Sequence, residues 1–169
     1  SSPQNIYNFN KNGINNLKTT KSNIQKLKED ISMVDIICGE RGQGKTKEML
    51  QRANDSVADA KGSIVYIDKS PQHIYELNNQ VRLINITEYP VESYEGFIGF
   101  VSGLLAGNYG IECVFIDSLI KVAHLEEGMI SELVETLDKL SKDIKFVCSV
   151  SMKEDLLPDE LKKKIIVSC

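Results

Sequence analysis

The sequence has 169 residues, 41% of them hydrophobic and 26% charged, which suits one globular domain with a buried core and leaves no room for a second enzymatic domain. The formal net charge of -4 argues against a surface built to hold polyanions. Nucleic acid is therefore not a favoured partner.

Residues 1–32 are rich in Asn and Lys and differ in composition from the rest of the chain. Apolar residues recur there with helical spacing, at Ile14, Leu17, Ile24, Leu27 and Ile31. The pattern predicts a polar, partly helical N-terminal arm at 1–32, followed by a folded domain at 33–169. It leaves open whether the segment is an arm of the domain, an oligomerisation helix or an added leader.

The sequence carries no signal for a membrane or for secretion. Residues 1–11 lack the basic start and apolar core of a signal peptide, and the longest apolar stretch, 96–107, is too short to span a bilayer. The cysteines are far apart, and we interpret them as small buried hydrophobes rather than zinc ligands: Cys38, Cys113, Cys148 and Cys169. We therefore expect reduced thiols in a cytoplasmic protein with no membrane insertion.

From position 34 onwards, strand-like apolar runs alternate with helical patterns. Strands are predicted at 34–38, 63–68, 81–86, 112–117, 144–150 and 165–168. Helices are predicted at 45–60, from near Pro71, at 93–106, 128–141 and 158–164. This alternation predicts an α/β fold of three layers, with helices on both faces of a mainly parallel sheet.

The first strand and first helix are joined by a Gly-x-x-x-x-Gly-Lys-Thr sequence, the Walker A pattern of a phosphate-binding loop. Glycines let successive N–H groups turn inward, and the helix that follows presents its positive end to phosphate. The nucleotide-binding residues are predicted to be Gly39, Glu40, Arg41, Gly42, Gln43, Gly44, Lys45, Thr46 and Lys47. Within this set, Lys45 suits the β and γ phosphates and Thr46 suits Mg²⁺. The alternative is a Gly-rich turn with a chance Lys-Thr.

A second motif ends the fourth predicted strand, where Val114-Phe115-Ile116-Asp117 resembles a Walker B sequence. An acid at this point is expected to help hold Mg²⁺, so Asp117 and Thr46 are the predicted metal ligands. The alternative is an aspartate that caps the next segment.

The stretch from Gly39 to about Val150 resembles the RecA-like ATPases of the P-loop NTPase superfamily, through the phosphate loop and the segments 64–68 and 115–118. The resemblance implies ATP hydrolysis with Mg²⁺, a homo-oligomer, and a water-activating glutamate just past the second strand. That glutamate is missing, because the stretch reads Asp68-Lys69-Ser70-Pro71, and Ser118 rather than glutamate follows Asp117. Asp68 is the candidate replacement, with Glu40 as a weaker one and a helix-capping or solvated Asp68 as the alternative.

Two further features of the resemblance concern the γ-phosphate. Many members of this branch complete the site with an arginine from a neighbouring subunit. Arg41 in the loop could contact phosphate or a partner, whereas Arg52 and Arg82 are expected in surface pairs. The fifth strand ends in Ser149-Val150-Ser151, where related ATPases carry a polar phosphate sensor. An ordinary strand terminus is the alternative interpretation.

These features favour a slow Mg²⁺-dependent ATPase, activated by oligomerisation, in which Lys45, Asp68 and Asp117 are catalytic. ATP is preferred over GTP because no guanine-reading Asn-Lys-x-Asp motif is present. A nucleotide-dependent switch or interaction module without hydrolysis is the main alternative. A small-molecule kinase is less favoured, because the second half has no arginine-rich lid segment.

Overall fold

The computed structural model describes Asn23, residues 32–126 and residues 128–169. The arm expected at 1–32 lies almost wholly outside these residues. Met33–Cys169 forms one compact unit. Within the described part of the chain, no helix is long and apolar enough to cross a membrane.

The described residues form a single parallel sheet flanked by helices. Its strands are β1 (Val34–Cys38), β2 (Ser63–Asp68), β3 (Val81–Asn85), β4 (Ile111–Ile116), β5 (Lys145–Val150) and β6 (Ile165–Ser168). Their order across the sheet is β3-β2-β4-β5-β1-β6, and every neighbouring pair is parallel. The helices are α1 (Lys45–Ser56), α2 (Tyr94–Gly107), α3 (Leu119–Val122), α4 (Ile130–Ser141) and α5 (Asp159–Lys162). The three-layer α/β/α prediction is confirmed.

The core lies on both faces of the sheet, because successive strand residues point to opposite sides. On β1, Ile37 packs with Met49 and Ala53 of α1, whereas Ile36 packs in the other cluster with Phe97 of α2 and Leu133 of α4. All six side chains are fully buried. Burial of each of the larger side chains contributes roughly 1.5–3 kcal/mol, so the two clusters hold the strand ends in fixed positions.

The helix predicted from near Pro71 is wrong, because successive turns connect β2 to β3. The N–H groups of Ile74 and Glu76 donate to carbonyls three residues back, at 3.1 and 3.0 Å. The Asn54 side chain of α1 takes the next backbone groups, donating to the Glu76 carbonyl at 2.8 Å and accepting from the Asn78 N–H at 2.7 Å. Only one side chain between positions 70 and 80 is buried, so a helix here would lack an apolar face.

Two smaller predictions also need correction. A separate short helix, α3, precedes the predicted helix 128–141, which begins only at Ile130. The cysteine interpretation holds for Cys38 and Cys148, but Cys113 is half-buried and Cys169 is exposed after the end of β6. Burial raises the pKa of the Cys113 thiol to about 12, which keeps it protonated.

Candidate functional site

The loop between β1 and α1 takes a backbone shape that glycine permits. Gly42 and Gly44 have φ angles of 86° and 95°, in the left-handed region that other residues rarely adopt. Gly44 is the N-cap of α1 and no side chain caps the helix. The free N–H groups of the first turn and the positive end of the helix dipole therefore face the loop, which suits an anion.

Lys45 is held inside this loop. Its side chain is buried, and its Nζ donates a 2.8 Å hydrogen bond to the backbone carbonyl of Glu40. Thr46, the next residue on α1, is half-buried. An ammonium and a hydroxyl are thus carried by adjacent residues at the helix N-terminus.

Asp117 follows β4 and is nearly fully buried, with both carboxylate oxygens occupied by hydroxyl groups. The Tyr66 hydroxyl donates to Oδ2 at 3.0 Å, and the Ser149 hydroxyl donates to Oδ1 at 2.6 Å. Ser149 in turn accepts from the Ser118 N–H at 2.7 Å. Burial, and then the charge of Asp117, raise the pKa of Tyr66, so its hydroxyl remains a donor. The network fixes the orientation of the carboxylate.

Asp68 ends β2 and has one satisfied and one unsatisfied oxygen. Its Oδ1 accepts the Lys69 N–H at 2.7 Å, while its Oδ2 is buried without a hydrogen-bond partner among the described residues. Burial raises the pKa of the carboxyl and the charge of Asp117 adds to this, whereas the Lys69 N–H bond and the charge of His73 oppose it. Such a carboxylate is poised to accept a hydrogen bond or a proton.

One cleft of about 630 Å³ at the carboxyl ends of the strands is lined by Lys45, Thr46, Asp68 and Asp117. The sequence-predicted residues among its lining are Arg41, Gly42, Gly44, Lys45, Thr46, Asp68 and Asp117. The other predicted residues lie elsewhere. Glu40 and Gln43 line a separate cleft of about 670 Å³, where the Glu40 carboxylate lies 3.7 Å from Lys153 Nζ. Glu40 is therefore poorly placed to act on a phosphate in the first cleft.

The arginines and serines considered in the sequence also differ in whether they line this cleft. Arg41 is exposed and lines the cleft, whereas Arg52 lies 3.8 Å from Glu48 on the surface of α1, as expected. Ser149 is fully buried against Asp117, so it supports the carboxylate instead of standing at an open strand end. Ser151, two residues further on, lines the cleft.

Tyr66 and His73 belong to the site and were missed by sequence reasoning. Tyr66 lies directly opposite Phe115 in the β2–β4 register, which brings its hydroxyl to Asp117 from the neighbouring strand. That pairing cannot be read from either strand alone. His73 lines the cleft from the turn after β2, a segment that the sequence assigned to a helix.

Replacing Asp68 with asparagine is expected to stabilise the ligand-free protein at neutral pH by about 1 kcal/mol, because it removes a carboxylate oxygen that is buried without a hydrogen-bond partner among the described residues. The folded pKa of Asp68 is raised above 3.8, so its stabilising protonated form is fully present below 3.8 and is lost as pH rises through the folded pKa. Thermal melts of both proteins across pH should show a gain that is largest at neutral pH and vanishes towards about pH 4. A gain that is independent of pH would contradict this account.

No protein-family model and no curated protein sequence matches the chain. Among solved structures, the chain is similar to the flagellar accessory protein FlaH from Methanocaldococcus jannaschii, with a TM-score of 0.52 and 16% identity over 77% of this chain. A weaker likeness, with a TM-score of 0.48 and 13% identity over 90% of this chain, is to PCH-2 of C. elegans. The chain spans 65% of the FlaH chain and 41% of the PCH-2 chain. Together with the parallel sheet and its loop, the likeness to FlaH establishes a three-layer α/β/α P-loop fold.

Proposed function

We propose that the chain binds ATP with Mg²⁺ in this cleft and hydrolyses it slowly. The observation that carries the proposal is the convergence of Lys45, Thr46, Asp68 and Asp117 on one cleft at the N-terminus of α1. An uncapped helix end with a buried ammonium suits a polyphosphate, and carboxylates beside it suit a cation and a water.

The residues present fit a magnesium-bound triphosphate. The hydroxyl of Thr46 and the carboxylate of Asp117 are hard oxygen donors of the kind that Mg²⁺ prefers, and both line the cleft that Lys45 enters. Mg²⁺ would supply charge neutralisation for the phosphate oxygens. Lys45 and the loop N–H groups would bind the β and γ phosphates, and Tyr66 and Ser149 would keep Asp117 oriented.

Asp68 is the residue to which we assign activation of the attacking water. A carboxylate with one free, buried oxygen and a raised pKa is suited to orient a water and take its proton. Aspartate is one methylene shorter than the glutamate of RecA-like ATPases, which supports slow turnover. The assignment to that branch remains a prediction from segments 64–68 and 115–118.

Assembly into a homo-oligomer is part of the proposal. Arg41 is exposed at the cleft, and an arginine at this place can stabilise the charge that develops on a transferring phosphate, in its own site or in that of a neighbouring copy. Turnover per subunit would then rise with protein concentration.

A nucleotide-dependent interaction module is the second candidate. It is favoured by one specific observation: both oxygens of Asp117 already accept hydroxyl hydrogen bonds, and among the described residues that line the cleft Asp68 has a buried carboxylate oxygen without a partner. A site built in this way can bind nucleotide tightly and turn it over at a negligible rate. A small-molecule kinase has less support, since Arg41 is the one arginine of the sequence that lines the cleft.

The test is phosphate release from ATP and GTP with Mg²⁺ across a range of protein concentrations, with calorimetric binding measured in parallel. We expect ATP to be preferred, turnover to require Mg²⁺, and the rate per subunit to increase with concentration. Tight binding without phosphate release above background would favour the interaction module. Absence of binding to either nucleotide would reject both functions.

A further inference from the structure

His73 enters the cleft from the turn between β2 and β3. Its side chain is 20% exposed, and it lines the same cleft as Lys45, Asp68 and Asp117. The ring is held by Glu76, whose Oε1 lies 3.0 Å from Nδ1. The Asn54 side chain fixes the turn that bears Glu76 by binding its carbonyl. The histidine is thus positioned by Glu76, which Asn54 holds in turn, and both residues lie outside the phosphate loop.

The contact with Glu76 determines which nitrogen of the His73 ring carries the proton. A carboxylate accepts a hydrogen bond, so Nδ1 carries the proton in this pair. The second ring nitrogen, Nε2, then accepts a proton in the neutral ring and donates one in the charged ring. An imidazole held in this way, beside a cleft, is arranged for proton transfer.

The charge of His73 is coupled to that of Asp68. A positive ring lowers the pKa of the Asp68 carboxyl, against the effects of burial and of the Asp117 charge. Asp68 also has a buried oxygen without a hydrogen-bond partner in the described residues. Besides Asp68 and His73, the charged and titratable groups that line the cleft among the described residues are Arg41, Lys45, Lys69, Asp117 and Lys121.

We propose that His73, oriented by Glu76, is a second catalytic residue that receives the proton Asp68 removes from the attacking water. The inference rests on the proposed ATPase function. In the step, the water oxygen bonds to the terminal phosphorus, and the bond between that phosphorus and the bridging oxygen breaks, so that ADP leaves with the electron pair. The water proton passes to Asp68, then to His73 Nε2 and finally to solvent, which returns both side chains to their starting states.

The first test measures the NMR signals of the His73 imidazole and does not depend on turnover. The sequence has two histidines, His73 and His124, so labelled imidazole resonances can be followed individually by NMR. His124 is a matched internal control, because its Nε2 contacts the Val91 carbonyl at 2.9 Å and it does not line the cleft. Adding a non-hydrolysable ATP analogue with Mg²⁺ should shift the resonance and the titration midpoint of His73 and leave those of His124 unchanged. An unmoved His73 would overturn the proposal.

The second test is kinetic. We expect His73→Gln to lower turnover at least about 10-fold while analogue affinity stays within about twofold, because the loss concerns proton transfer. Glu76→Gln should keep partial turnover with a displaced pH–rate profile, and His124→Asn should match the wild type. If His73→Gln has the turnover and pH profile of the wild type, the catalytic role of His73 is rejected and the proposed ATPase function is not. A wild type without turnover would reject the proposed hydrolysis, and this inference with it.

Discussion

Replacing Lys45 with alanine is expected to lower the affinity for Mg²⁺-ATP by at least about 100-fold, equivalent to about 3 kcal/mol. The ammonium is buried in the phosphate loop, 2.8 Å from the Glu40 carbonyl, so it acts where water screens its charge poorly. Charge-assisted hydrogen bonds to phosphate are among the strongest a side chain makes. Calorimetric titration with a non-hydrolysable analogue measures the loss without interference from turnover.

Lys139→Ala is the matched control for this change. Lys139 lies on α4, where it is exposed and its Nζ lies 3.1 Å from Glu135 Oε1. The substitution therefore removes one positive charge far from the loop in the sequence. Surface pairs of this kind contribute little, and both stability and affinity should stay near those of the wild type. Equal affinities in the Lys45 and Lys139 variants would show that the loop is not the phosphate site.

The sequence predicts the centre of this fold well because its signals there are local. Gly42, Gly44 and Lys45 sit between a β-branched strand and an amphipathic helix, and each feature of that unit is encoded by residues next to one another. The parallel sheet follows from alternating strand and helix patterns, which determine layer architecture without any knowledge of register. Asp117 is predicted at the end of its strand for the same reason, and in the structure it directly follows Ile116, the last residue of β4.

The remainder of the site depends on contacts between distant segments. Asp117 is held by Tyr66 and Ser149, at sequence separations of 51 and 32 residues, and those contacts exist only because β2 and β5 flank β4. The sequence predicts a helix where the structure has the turn that bears His73, because Pro71 suits a first helical turn. In the structure, the side chain of Asn54 instead bonds the Glu76 carbonyl and the Asn78 N–H, a contact that the sequence of the turn does not reveal.

Replacing Asp68 with asparagine is expected to reduce turnover at least about 100-fold, the usual loss when a positioned acid–base group is removed. Asparagine keeps an oxygen that can accept the Lys69 N–H, so the end of β2 and the cleft should keep their shape. It cannot take a proton from water at neutral pH. Single-turnover phosphate release with saturating Mg²⁺-ATP isolates this step from binding.

The same substitution is expected to affect catalysis and stability in opposite directions. The Asp68 oxygen that has no partner among the described residues should lower the stability of the ligand-free protein at the pH where Asp68 supports turnover. A catalytic Asp68 therefore predicts a variant that is more stable at neutral pH, binds the ATP analogue as the wild type does, and releases phosphate slowly. A merely structural Asp68 predicts that stability changes while the rate per folded subunit does not. Measuring the melting temperature, analogue affinity and single-turnover rate on one preparation distinguishes the two, and an unchanged rate would reject Asp68 as the group that activates water.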